Sequence, residues 1–230
     1  MTHETHGSHG THDTHDLREL FTAEFWDSRY AERTAIWSGR PNGHLVSVAA
    51  GLSPGDALDL GCGEGADAVW LAARGWRVTG VDISAVALGR AAEAAEAAGV
   101  AGRVTLQQVD ALTFHPAPAS FDLVTSHFIH LPPELRVPLN ARLAAAVRPG
   151  GSLLVVGHHV SDLETTIGRP NLPELFFDAG EIAAALDPAA WEVVVAAAPE
   201  RETLDPNGDP VTIRDAVLHA VRRSRPLDGR

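Results

Sequence analysis

A chain of 230 residues that is 45% apolar has the size and composition of one α/β domain with a sizeable core. A net charge of −12 argues against a nucleic-acid backbone as substrate, and a single cysteine excludes an internal disulfide and suits a reducing cytoplasm. The sequence holds no run of about 18 apolar residues, and its polar start does not resemble a signal peptide. These features predict a cytoplasmic protein with neither membrane nor nucleic acid as partner.

Residues 1–16 are poor in apolar side chains and carry His3, His6, His9, His12 and His15 at every third position. Such a segment predicts a disordered tail. A period of three fits neither helix nor strand, so no preformed metal site follows, although neutral imidazoles can take up a divalent ion. One domain is predicted over 17–223, followed by a short tail over 224–230. Leu17, Leu20, Phe21, Glu24, Phe25 and Tyr30 open a helical stripe. Gly39, Pro41 and Gly43 then predict an irregular loop, and a short helix runs from about His44 to Gly51. Strands are expected near 57–61, 77–82, 103–109, 121–126, 152–158, 190–197 and 214–222. Helices are expected near 65–74, 84–98, 134–147 and 179–186. The alternation predicts a mostly parallel, seven-stranded Rossmann-like sheet with helices on both faces. The turn Asp205–Pro210 is hairpin-like, so the last strand should run antiparallel to its neighbour.

The first strand ends in Asp59-Leu60-Gly61-Cys62-Gly63-Glu64-Gly65, and the second ends on Asp82. Glycines let backbone approach a ligand where a Cβ would collide, and an acid about 20 residues on can accept from both ribose hydroxyls. Polar residues also close the third strand (Asp110, Ala111, Leu112), the fourth (Ser126, His127, His130) and the fifth (His158, His159). Ligands of open α/β sheets bind outside these carboxyl ends.

The D-x-G-x-G-x-G form of residues 59–65 resembles motif I of the class I S-adenosylmethionine-dependent methyltransferases. The likeness extends over about Trp26 to His159, including Phe121-Asp122-Leu123-Val124 and Val147-Arg148-Pro149-Gly150-Gly151. It implies that Gly61, Cys62, Gly63 and Gly65 approach the cofactor and that Asp59 holds its methionyl amino group. Asp82 would grip the ribose, Ile83 would pack on adenine, and Asp110 would accept from the adenine amino group. Backbone N–H of Ala111 or Leu112 would reach the ring. Trp26-x-x-x-Tyr30 and Ile36–Asn42 resemble the N-terminal helical lid of the tellurite-resistance and thiopurine-type enzymes. By that resemblance Trp37 covers the sulfonium and Arg40 binds an anionic group of the substrate.

His127 and His130 are the expected catalytic side chains, since a neutral imidazole can orient or deprotonate an acceptor near pH 7. Four imidazoles at two neighbouring strand ends are also compatible with a metal or with purely structural hydrogen bonds. No acid cluster for Mg²⁺ is evident, so the expectation is metal-independent, in-line methylation of a small molecule, with a thiol or chalcogen acceptor favoured over O or N. A nicotinamide-dependent oxidoreductase and a non-catalytic module sensing S-adenosylmethionine or a metal are the alternatives.

Overall fold

The structure, a computed structural model, describes residues 20–224. The histidine tract, Leu17 and the last six residues lie outside them. Six helices and eight strands follow in chain order. They are α1 (Ala23–Ala31), α2 (Gly43–Ala49), β1 (Asp56–Leu60), α3 (Ala66–Ala73), β2 (Arg77–Asp82), α4 (Ala85–Ala97), β3 (Val104–Gln108), β4 (Phe121–His127), α5 (Pro133–Ala146), β5 (Val147–His158), α6 (Ala179–Ala184), β6 (Trp191–Ala197), β7 (Glu200–Leu204) and β8 (Pro210–Arg222).

Local chemistry sets several of these boundaries. Thr22, Asn42, Ser84 and Asp178 each cap a helix by accepting a backbone N–H of its first turn. The Thr22 cap starts α1 later than the apolar stripe predicts. Five strands of the sheet are parallel, in the order β3-β2-β1-β4-β5. β1 is buried over Ala57–Leu60, as expected of a strand covered on both faces. One face packs Leu58, Leu60, Val124, Leu143, Leu153 and Ile182 under α5 and α6. The other packs Leu45, Ala57, Leu71, Trp76, Leu123 and Leu154 under α2 and α3, beside which α4 lies.

The last strand is antiparallel, as expected. It is inserted between β5 and β6, pairing Leu154 with His219 on one side and Val195 with His219 on the other. The sheet has one strand more than the seven expected. β7 folds back on the first half of β8, with Arg201 opposite Ile213. The residues Glu200-Arg201-Glu202-Thr203-Leu204 are polar and mostly exposed, so no hydrophobic pattern announced them. Since β8 enters the sheet at Asp215, opposite His158, the β7–β8 hairpin stands beyond the carboxyl edge of β5. It forms a wall on the side where the candidate site lies.

Candidate active site

The glycine loop is built on the ends of β1 and β2. Gly61 and Cys62 both donate to the Val81 carbonyl, at 2.7 and 3.1 Å. Gly61, Gly63 and Gly65 have φ of +72, +51 and +83°, which side-chain-bearing residues rarely adopt. A Cβ on Gly63 would lie 2.9 Å from the Tyr30 hydroxyl, and one on Gly65 would lie 2.8 Å from Ala91 Cβ. The loop is thus overlaid by the N-terminal segment and backed by the alanine-rich face of α4.

Asp82 turns into this loop. One carboxylate oxygen accepts from Gly63 N–H at 2.8 Å and the other from Ser84 N–H at 2.9 Å. Burial pushes its pKa up, while the backbone donors oppose that shift. Ile83 sits half-buried beside it. Asp110 caps its own turn by accepting from Leu112 N–H at 2.8 Å. That bond engages the Leu112 donor, one of the two N–H groups, with that of Ala111, that the resemblance offered to the adenine ring. Ala111 lies in the turn after β3, and Ser126 is buried near the end of β4. Cys62 is buried, and burial with the nearby Asp59 raises its thiol pKa well above the ordinary value. It packs against Gly80, a setting that disfavours the thiolate.

The N-terminal segment is pinned to the loop by groups the sequence did not single out. Glu64 accepts from the backbone N–H of Ile36 and Trp37, both at 3.2 Å, and pairs with Arg90 at 2.7 Å. Arg90 also donates to the carbonyls of Tyr30 and Arg33. Asp27 accepts from Ser84 Oγ at 2.6 Å and from Val86 N–H. Trp37 donates its indole N–H to the Tyr30 hydroxyl at 2.9 Å, yet its ring stays 51% exposed. Burial raises Tyr30 to about 12, so its hydroxyl keeps its proton. Arg40 lies on the exposed outer part of this loop.

Asp59 is 2% exposed. One of its oxygens accepts from Thr125 Oγ1 at 3.0 Å, and the other, Oδ2, has no partner among the described residues. Burial and the nearby Asp67 carboxylate raise it to about 7. Asp67, Asp59 and His127 bring one ligand atom each to within 4.8 Å of one another. His127 Nδ1 lies 2.7 Å from an Asp67 oxygen, whereas its Nε2 is buried and has no partner among the described residues. The carboxylate makes Nδ1 the protonated nitrogen, leaving Nε2 for a ligand. The second Asp67 oxygen accepts from Asn42 N–H at 2.6 Å. Sequence reasoning missed Asp67 because an acid in the first turn of a helix reads as dipole compensation.

The four strand-end histidines do not converge on one point. His127 turns to Asp67. His130 and His158 stack with centroids 4.8 Å apart and planes 14° apart. His159 faces Ser161 at the turn after β5. His130 Nδ1 lies 3.2 Å from the Leu175 carbonyl, so it is the N–H and the buried Nε2 is bare. His158 Nδ1 faces Arg169 at 3.1 Å. Burial lowers His130 to about 4 and His158 to about 2, so both are neutral at pH 7. Beside them Phe128 adopts a left-handed backbone, φ +56°, and its ring lies 4.7 Å from that of His158. Phe128 also lines a cleft of about 410 Å³ bounded by Asn42 and His44 of the α2 start and by Glu200, Arg201 and Asp215 of the hairpin.

The residues suit the cofactor the motif implies. A glycine cradle admits its backbone-like part, and the orphaned, buried Asp59 Oδ2 asks for a cationic donor.

Comparison with known proteins agrees. Residues 57–151 match the family described as "Methyltransferase domain". The ribosomal RNA small subunit methyltransferase C of Alcanivorax borkumensis is 32% identical over 139 residues, 58% of this chain and 40% of that one. Thiocyanate methyltransferase 1 of Arabidopsis thaliana is 30% identical over 143 residues, 60% and 62%. The chain spans about half the length of the curated relatives it matches first. The crystal structure of TehB from Haemophilus influenzae superposes with a TM-score of 0.66 at 22% identity, covering 88% of this chain and 67% of that one, a likeness of fold. Residues 57–151 therefore match a methyltransferase domain.

Proposed function

We propose that the whole chain transfers a methyl group from S-adenosylmethionine to a small molecule, and that the acceptor is a soft, readily ionised nucleophile such as a thiol or chalcogenide. The observation that carries the cofactor half is the glycine cradle beside the unpartnered Asp59 Oδ2. The sulfonium supplies an already activated methyl group. The chain's part is then to hold donor and acceptor in line and to keep water away.

The acceptor half follows from proton affinities. Moving a proton from a thiol of ordinary pKa, about 8.5, to an imidazole of about 4 costs roughly 6 kcal/mol. The stacked pair of His130 and His158 is therefore a poor base, and an acceptor beside it has to arrive ionised or nearly so. A hydroxyl fits this setting worst. The name of the thiocyanate methyltransferase relative points the same way, whereas that of the ribosomal RNA relative sits poorly with a net charge of −12. In this reading His127, held by Asp67, orients or deprotonates the acceptor, and His130 positions it through its bare Nε2.

Formation of S-adenosylhomocysteine across thiols, phenols, amines and chalcogen oxyanions tests the class. Turnover is expected for thiols or chalcogen anions, and turnover confined to phenols or amines would overturn the acceptor assignment. His127→Ala is expected to lower kcat at least tenfold and His130→Ala to raise the acceptor KM. Unchanged rates in both would remove the histidines from the reaction. Calorimetric titration with NAD and with S-adenosylmethionine separates the dehydrogenase alternative.

A further inference from the structure

The cleft between α2 and the β7–β8 hairpin contains a pre-set cation. Arg201 donates its Nε to Asp215 Oδ2 at 2.7 Å, and His44 Nε2 approaches the same oxygen at 3.3 Å. The Asp215 side chain is 4% exposed, so it anchors the guanidinium from beneath. Arg201 itself is 42% exposed, and no described residue takes its two Nη groups. A guanidinium fixed by one edge presents the other as a planar fork, the geometry that matches a carboxylate. Glu200, the other acid at the rim, is engaged by Arg214 across the strand pair. Asp215 Oδ1 is buried and has no partner among the described residues, so the groups on this carboxylate, Arg201 and His44, share Oδ2. Phe128 supplies an apolar wall, and Asn42 at the opposite rim leads through Asp67 to His127. The volume, about 410 Å³, admits only a small molecule.

We infer that this cleft is the acceptor subsite and that the acceptor carries a carboxylate read by the open edge of Arg201, making the substrate class small mercapto acids rather than neutral thiols. The inference rests on the small-molecule methyltransferase reading above. Arg40, which the sequence offered for an anionic group, lies on the exposed loop and has no such anchor.

The test compares 3-mercaptopropionate with its neutral amide, titrated by NMR into the full chain loaded with S-adenosylhomocysteine. The acid is expected to bind at least tenfold more tightly than the amide, and Arg201→Gln should abolish the difference. Arg201→Lys, which keeps the charge but loses the fork, should retain part of it. The affinity for S-adenosylhomocysteine should be unchanged in both variants, which also checks that they fold. Equal binding of acid and amide, or a preference that survives Arg201→Gln, would overturn the inference while leaving the methyltransferase reading intact. A wild-type chain that binds no S-adenosylhomocysteine would refute that reading instead, and the same titration on the cofactor-free chain would still decide the role of Arg201.

Discussion

Asp59 is the residue on which cofactor chemistry and folding stability meet. Its carboxyl titrates at about 7 in the fold against 3.8 ordinarily, because burial and Asp67 disfavour its charge. The folded chain therefore holds a proton that the unfolded chain has lost. Stability is lost as pH rises from about 4 through 7, and the loss is complete above that. A cationic group set against Oδ2 reverses the cost. Asp59→Asn is thus expected to melt several degrees above the parent at pH 8 and level with it below pH 4, while binding S-adenosylmethionine at least tenfold more weakly. Melts across pH and calorimetry read both, and a melting difference that does not vary with pH would sink the argument. His130 works in the opposite sense. Depressed to about 4, it contributes stability that is lost as pH falls from about 6.5 towards 4.

Among the elements, the glycine loop and α4 form the tightest junction. Gly65 has φ +83°, and a methyl group there would meet Ala91 at 2.8 Å. Gly65→Ala should cost about 2 kcal/mol or more in chemical denaturation, from the left-handed backbone and the collision together. Ala91→Gly in the same chain should recover only the collision. The N-terminal segment is held more lightly, through Arg90 and Glu64. Arg90→Met should speed hydrogen exchange over residues 32–37 at least tenfold and leave the β1 amides unchanged. How much of this was legible beforehand depended on the physical signal. The parallel core was readable because β1 and β2 run into glycine or acid and β4 runs through buried apolar residues to Ser126 and His127. Asp59, Asp82 and the glycines were readable because their spacing follows a strand–glycine-loop–helix motif. β7 was not, being five mostly exposed and polar residues whose pairing depends only on β8. Glu64, Asp67 and Arg201 were equally silent, since their partners lie 28, 60 and 14 residues away, respectively, and no local period encodes such pairs.

At the scale of the whole molecule, charge and edges matter. The chain carries a net charge of −12, so under the proposed function long-range attraction should speed the encounter with a sulfonium. The association rate of S-adenosylmethionine, followed by stopped flow, is expected to fall several-fold between 20 and 500 mM salt. A rate that salt does not change would argue against steering. β6 ends the sheet on the side away from the glycine loop, and it carries the exposed run Val193, Val194 and Val195. Glu192 and the β6 irregularity between Val193 and Val195 interrupt that edge, which is how open sheets avoid pairing with their neighbours.

The two oxygens of Asp67 serve different parts of the protein. One fixes the backbone at Asn42, where the covering loop re-enters the domain, and the other fixes the ring of His127. In the proposed reading, lifting the loop would break the first bond and leave the second without its anchor, so the placing of the loop and the orientation of the imidazole depend on one carboxylate.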